Sequence, residues 1–477
     1  MKLKKILAVL MAALICISAM AVNVSAASKK SVKLNKSKIT LEVGDSYTLK
    51  KTVTGFSKYT VQWSSSDKSV ATIKSGGKVT TKKAGTATIT MKIKGTKYKA
   101  TCKVTVKKAS SSKKTATTAT TQNSTTTTTK KKTSSSGSAQ AVIDKMTIGW
   151  NLGNTMDCYN CSWLSNKMDC ETAWGNPKTT KAMIDAVKKA GFNTVRIPVS
   201  WNDHIDSNGK IDAEWLDRVQ EIVDYAYDNN MYIILNTHHE NNWVKLDASK
   251  EKDVKKKLNY VWKQIAVRFK DYDEKLLFEA LNEPRTEGSS QEWNGGTSAE
   301  REILNSYYQG FVNTVRATGG NNKTRVLILT PYGANSGKSA LSDLWLPEDD
   351  NRIAVSVHAY SPYNVALNRY SSETKLTENG KKEIDNNFSN INSVMLSKDI
   401  PVIMDEFGTI NKSNTDDRIE VAKYYLSVSE KYGVPCVWWD NGTNCGPKDG
   451  EGFGLLNRNT LKWNYPDLVK ALTSAVK

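Results

Sequence analysis

Past its first 30 residues, the 477-residue chain has no apolar run long enough to cross a membrane. It also has no G-x-S-x-G turn for a nucleophilic serine, no H-E-x-x-H for a zinc, and no glycine-rich first turn for a dinucleotide. Acidic residues are nearly missing from the front of the chain. Residues 1–140 hold three acids (Glu42, Asp45 and Asp67) against 28 Lys and Arg, whereas the remainder holds 45 against 40. The formal charge of +20 thus belongs to the front, and the larger part is mildly acidic. This excludes nucleic acid as the main partner, because a basic footprint should lie on the working domain. Residues 108–139, rich in Ser, Thr and Lys, are almost without large apolar side chains, so they bury too little surface to offset ordering and read as a low-complexity linker.

What is present divides into four stretches. Lys2, Lys4 and Lys5 precede the apolar run Ile6 to Met20 and the small residues Val24-Ser25-Ala26, so residues 1–26 are expected to be a signal peptide, with secretion and no membrane anchorage after cleavage. Cys16 leaves with that leader, and the other six cysteines of the seven stay in the mature chain. Residues 30–107 alternate Thr and Val with polar residues in short runs such as "GTATITMKI" and "YKATCKVTVK". They predict a small antiparallel β-sandwich with Trp63 in its core. From residue 140 to 477, eight apolar runs alternate with amphipathic stretches, among them "NTVRIPVS", "MYIILNTHH", "KLLFEALNE" and "IPVIMDEFG". Eight buried strands with crossovers predict an α/β domain, a (β/α)8 TIM barrel. The near P-loop "YGANSGKS" (332–339) has Tyr332 where the first Gly must stand and reads as a solvent loop.

Catalytic groups of such a barrel sit at the carboxyl ends of its strands. The polar residues ending the runs are Asn151, Asn154, Arg196, Asn236, His238, His239, Asn282, Glu283, His358, Tyr360, Asp405, Glu406, Trp439, Asp440 and Asn441. Glu283, before Pro284, and Glu406, before Phe407-Gly408, end the fourth and seventh strands, which face each other across the mouth. Two opposed carboxyls about 5–5.5 Å apart suit a retaining glycosidase. The competing reading, a metal held by His and Glu, lacks any recognised ligand spacing, and the three histidines suit sugar hydroxyls as uncharged donors. Trp163, Trp174, Trp201, Trp243, Tyr363 and Trp439 are expected in or near the rim loops, where flat rings stack on pyranoses.

In order along the chain, "GWNLGNT", "ETAWGNP", "GFNTVRIPVSW", "NTHHE", "LFEALNEPR", "VHAYSPY", "VIMDEFG" and "VWWDNG" resemble glycoside hydrolase family 5, specifically its bacterial endoglucanases. The front "WSSSDKSVATI...GKVTTKKAGTATIT" resembles a group 2 bacterial Ig-like domain, which implies a spacer or adhesion module. The first resemblance implies Glu283 as acid/base, Glu406 as nucleophile, and Arg196 and Tyr360 as the groups keeping Glu406 ionised. It further implies Asn282 on the 2-hydroxyl, His238 and His358 as rim histidines, Trp439 as the sugar platform, and His239 and Trp174 as further substrate contacts. Glu283 is expected to hold its proton nearer neutral pH than Glu406. The resemblance implies a β-glucan substrate, or alternatively xyloglucan, mixed-linkage glucan, xylan or mannan, with no cofactor and no metal. A monomer is expected, with cell-wall or plant-wall contact through the Ig-like module as a further possibility; a non-catalytic wall-binding barrel is the rival reading. Cys158, Cys161 and Cys170 fall in the loop after strand one and Cys436 and Cys445 around that after strand eight. A disulfide tying these loops is open, with at least one of the five left free.

Overall fold

The computed structural model describes residues 30–49, 51–56, 59–74, 77–108 and 137–475. The expected signal peptide and nearly all of the expected linker lie outside the described residues. The chain divides into two compact units, 1–126 and 127–477.

In the front unit, Lys38–Glu42, Lys99–Lys107, Gly85–Ile93 and Val61–Ser65 form one sheet in that order, and Ser46–Thr48, Lys78–Thr81 and Ala71–Ile73 form another. The period-two pattern works as expected: Ala87, Ile89, Met91, Cys102, Val104 and Val106 are buried, and Trp63 packs against the core half-buried. The sandwich is not wholly antiparallel, however, because Lys38–Glu42 runs parallel to Lys99–Lys107. After Glu42 the chain crosses to the other sheet instead of turning back along the edge, which leaves that edge to a parallel partner.

The second unit is a closed barrel of eight parallel strands in sequence order. These are β1 (Ile148–Asn151), β2 (Thr194–Ile197), β3 (Tyr232–Asn236), β4 (Leu276–Glu279), β5 (Leu327–Leu329), β6 (Ile353–His358), β7 (Val402–Phe407) and β8 (Cys436–Trp438). Pairing of Gly149 with Val437 closes the ring between β1 and β8. Alternation along each strand sorts the side chains. Val195, Ile233, Leu235, Phe278, Leu327, Val355 and Met404 join the core shared with the helices. Ile234, Leu277, Ile328, Ala354, Ile403 and Val437 fill the interior, together with the short helix Ala139–Ile143. That interior is apolar below. One or two steps further along the same inward positions stand Asn151, Arg196, Asn236, Glu279, Ser356, His358 and Asp405, all buried, so the barrel ends in a polar layer at its carboxyl rim.

Between strands run amphipathic helices such as Ala213–Asp228, Glu251–Arg268 and Ser298–Ala317. The last starts in a capping box of Thr297 with Glu300, a device that contributes about 1 kcal/mol. The near P-loop is not a solvent loop. Tyr332, Gly333 and Ala334 are buried in a short 3-10 turn, where the Tyr332 hydroxyl accepts from Thr286 N and Gly333 N donates to the Pro284 carbonyl. Its tyrosine adds an apolar ring and a hydrogen-bonding tip, which is why this segment packs beneath the loop after β4.

Candidate active site

Glu283 lies four residues past the end of β4, yet its backbone is fixed. Asn282 N donates to the Thr237 carbonyl, and the hydroxyls of Thr237 and Thr330 donate to the carbonyls of Ala280 and Leu281. Glu406 reaches the site by another route. Regular alternation would turn Asp405 inward and Glu406 toward the helices, but the register shifts both between Val357 and His358 and between Met404 and Phe407. Such irregularities re-aim side chains, and both acids reach the mouth.

Glu406 is clamped through both oxygens. Its Oε1 accepts from Arg196 at 2.6 Å and its Oε2 from the Tyr360 hydroxyl at 2.8 Å. Arg196 also donates twice to Glu279, at 2.8 and 2.9 Å, to Asn282 Oδ1 at 2.6 Å and to Asn151 Oδ1 at 3.0 Å. With its oxygen held by Arg196, the Asn282 side chain has its amide hydrogens left for a ligand. His358 bridges the acids: its Nδ1 lies 2.8 Å from Glu283 Oε1 and 3.5 Å from Glu406 Oε2, and its Nε2 lies 3.2 Å from Asp405 Oδ1. One carboxylate oxygen each of Glu283 and Glu406 lie within 4.8 Å of one another.

The charges differ from the sequence-based expectation. Burial opposes the Arg196 charge, but Glu279, Asp405 and Glu406 overcome it and hold the guanidinium firmly protonated. Burial likewise opposes a charged His358, yet Glu406, Asp405 and Glu283 outweigh it and lift its pKa well above the ordinary value. Burial raises Glu283, but the hydrogen bond and charge of His358, with Arg285 and His239, bring it below the usual carboxylate range. Burial leaves Glu406 raised despite His358 and Arg196, with Glu283 adding to the rise. Glu283 was expected to keep its own proton and His358 to be an uncharged donor; the shifts run the other way, Glu283 down and His358 up, because the imidazole faces three acids. By contrast, burial pushes His238 well below its ordinary value and His239 down to about 4, so these two are neutral donors as expected.

Glu279, His358 and Asp405 also bring ligand-type atoms within 4.8 Å of each other, as do Glu283, His358 and Glu406. His358, common to both groups, has each nitrogen facing a carboxylate.

The aromatic side chains separate into wall and core. Trp439 lies parallel to the His238 ring, 5.8 Å away. Gly153 makes room for it, since a Cβ there would meet the indole at 2.8 Å. Trp174 and Tyr159 pack edge-on at 5.7 Å, and both rings lie against His239. Trp163 and Tyr363 are well exposed. Trp201 is no rim platform: it is fully buried and donates to the Asn236 carbonyl. Trp243 is half-buried and donates to Glu240. The disulfide left open between the loops after β1 and β8 is not formed: all six described cysteines are free, and Cys436 is buried in β8. Sequence reasoning missed Glu279 as a site residue. Its signal was available, an acid two places after Leu277 in an otherwise apolar strand. Deleting one partner of such a buried pair costs about 3–5 kcal/mol.

Residues 156–445 match the model of cellulase, glycosyl hydrolase family 5, and residues 29–104 that of the group 2 bacterial Ig-like domain. Endoglucanase A of Clostridium longisporum is 46% identical over 344 residues, which cover 71% of this chain and 66% of that protein, just under two thirds of its length. A broad-specificity endoglucanase from Ruminococcus champanellensis, solved with bound cellotriose, superposes with a TM-score of 0.68 at 47% identity, covering 70% of this chain and 98% of that one. A xyloglucan-specific endo-β-1,4-glucanase from a metagenomic library, also solved with cellotriose, gives 0.67 at 44% identity and 70% and 98% coverage. The family match spans more than half of the sequence and contains both opposed acids, Arg196 and His358, and the chain accordingly belongs to glycosyl hydrolase family 5.

Proposed function

We propose that the barrel is a retaining endo-β-1,4-glucanase acting on internal bonds of cellulose or related β-glucans. The observation that carries this reading is the pair Glu283 and Glu406, with carboxylate oxygens within 4.8 Å. This is close enough for direct attack on the sugar and too close for the intervening water of an inverting enzyme. Glu406 is the nucleophile. Arg196 and Tyr360 fix both its oxygens, so it attacks the anomeric carbon without reorganising. Glu283 is the acid and then the base. It receives its proton from His358 Nδ1 across 2.8 Å, passes it to the departing glycosidic oxygen, and later takes one from the water that opens the glycosyl-enzyme. Asn282 holds the 2-hydroxyl. His238, His239 and Trp174 contact the glucan, which rests on Trp439.

Similarity to the xyloglucan-specific enzyme favours xyloglucan as a second substrate, with the same chemistry. The chain is read as exported after loss of residues 1–26 and monomeric. Its front unit supplies wall contact through a lysine-bearing sheet face, on which exposed Lys38 stands opposite Lys103 and Lys92 opposite Lys99. The test is reducing-sugar release from soluble β-glucan, xyloglucan, xylan and mannan by wild type and Glu406→Gln. Release from the glucans should fall by roughly three or more orders of magnitude in the folded variant. Equal release by both proteins would remove Glu406 from the chemistry.

A further inference from the structure

The loop after β1 holds a second cluster of reactive groups that glucan hydrolysis leaves unused. Cys161 and Cys170 are buried with their side chains in hydrogen-bonding contact, and a carboxylate oxygen of Asp203 lies within 4.8 Å of both sulfurs. The eight residues between them, 162–169, are exposed or half-exposed, and Trp163 among them is 69% exposed. Two buried thiols therefore stand at the feet of a solvent-facing arch. Each foot is anchored. Cys170 sits in the 3-10 turn Lys167–Thr172, whose Glu171 accepts twice from Arg218 and once from Thr179 N. Cys161 N donates to Asp203 Oδ2 at 3.0 Å.

We propose that Cys161 and Cys170 are a disulfide-forming pair that closes this arch covalently. The oxidant is a small or protein disulfide, such as glutathione disulfide. One cysteine thiolate attacks it and releases the first donor thiol; the second cysteine then attacks the mixed disulfide and releases the other. The pair loses two electrons and two protons, one S–S bond forms, and the donor leaves as two thiols. Burial raises the pKa of both cysteines, so the reaction belongs to folding, before the arch closes over its feet, and the finished bond is shielded from reductants. The tie would fix the loop that also carries Tyr159 and Trp174 against His239.

The test refolds the full chain in a glutathione redox buffer, alkylates the remaining thiols and digests with trypsin, which cuts the arch after Lys167. The expected product is peptide 146–167 joined to peptide 168–178, still joined in Cys158→Ser and separated in Cys161→Ser. Reductant should also lower the melting temperature of the wild type but not that of a Cys161→Ala, Cys170→Ala double variant. Three results would overturn the proposal: both cysteines alkylated without reduction, a cross-link that survives Cys161→Ser through Cys158, or a stoichiometric zinc ion that protects the pair.

Discussion

At Arg196, five oxygens converge on one guanidinium: two from Glu279 and one each from Asn151, Asn282 and Glu406. A fork of fixed N–H groups suits this task, and lysine could not reproduce it. Sequence reading singled out Arg196, Asn282, Glu283, His358, Tyr360 and Glu406, which the structure brings together, because each ends or interrupts an apolar run. It missed Glu279, which sits inside such a run and shows only as a broken alternation. It also set on Glu283 a proton that the surroundings favour on His358, because protonation depends on which acids surround His358, and those arrive from the loop after β4 and from β7. The charge has a measurable consequence. His358 stays protonated well above 6.5, so the alkaline fall of kcat/KM should follow loss of that proton, while the acid fall follows protonation of Glu406, whose pKa is raised. In His358→Asn, Glu283 must hold the proton by itself, and the alkaline limb should move to lower pH. An unmoved alkaline limb would show that His358 does not supply the proton.

Among the elements, all eight strands were legible as apolar runs, but their ends were not. "KLLFEALNE" reads as strand to residue 283, whereas β4 stops at Glu279, because Ala280 and Leu281 stay buried after leaving the sheet. The β7 irregularity that turns Glu406 inward was illegible, since it arises from pairing with β6 and β8. The same loop-level packing buries His204 in the short helix Asn202–His204. Its ring stacks on Trp215 at 3.6 Å, and neither nitrogen has a partner. Burial lowers its pKa from the ordinary 6.5 to about 3. The unfolded chain therefore binds a proton below about pH 6.5 that the folded chain refuses, and stability falls as pH drops from there toward 3. His204→Phe keeps the stack and removes the proton site. Its melting temperature should fall less than that of wild type between pH 7 and pH 4; parallel curves would mean that His204 titrates normally in the fold.

For the whole molecule, charge is segregated by unit, and the front sheet sets like charges directly across from each other at Lys38 and Lys103 and at Lys92 and Lys99. Such pairs are destabilising by a few tenths of a kcal/mol each, a cost that a polyanionic wall polysaccharide would reverse. The full chain should be retained by polygalacturonate beads at low salt and released by about 0.5 M salt, while Lys38→Glu, Lys103→Glu should lose retention and keep soluble-glucan activity. Equal retention of variant and wild type, or no retention of either, would contradict a wall contact through these lysines. The barrel's own role rests on which acid becomes covalently attached to the sugar, and the most direct measurement is trapping with an activated 2-deoxy-2-fluoro-cellobioside followed by peptide mass spectrometry. A single glycosyl adduct on the peptide containing Glu406, with activity lost in parallel, is the predicted result. An adduct on Glu283, or no adduct together with an inverted product anomer, would contradict the double displacement.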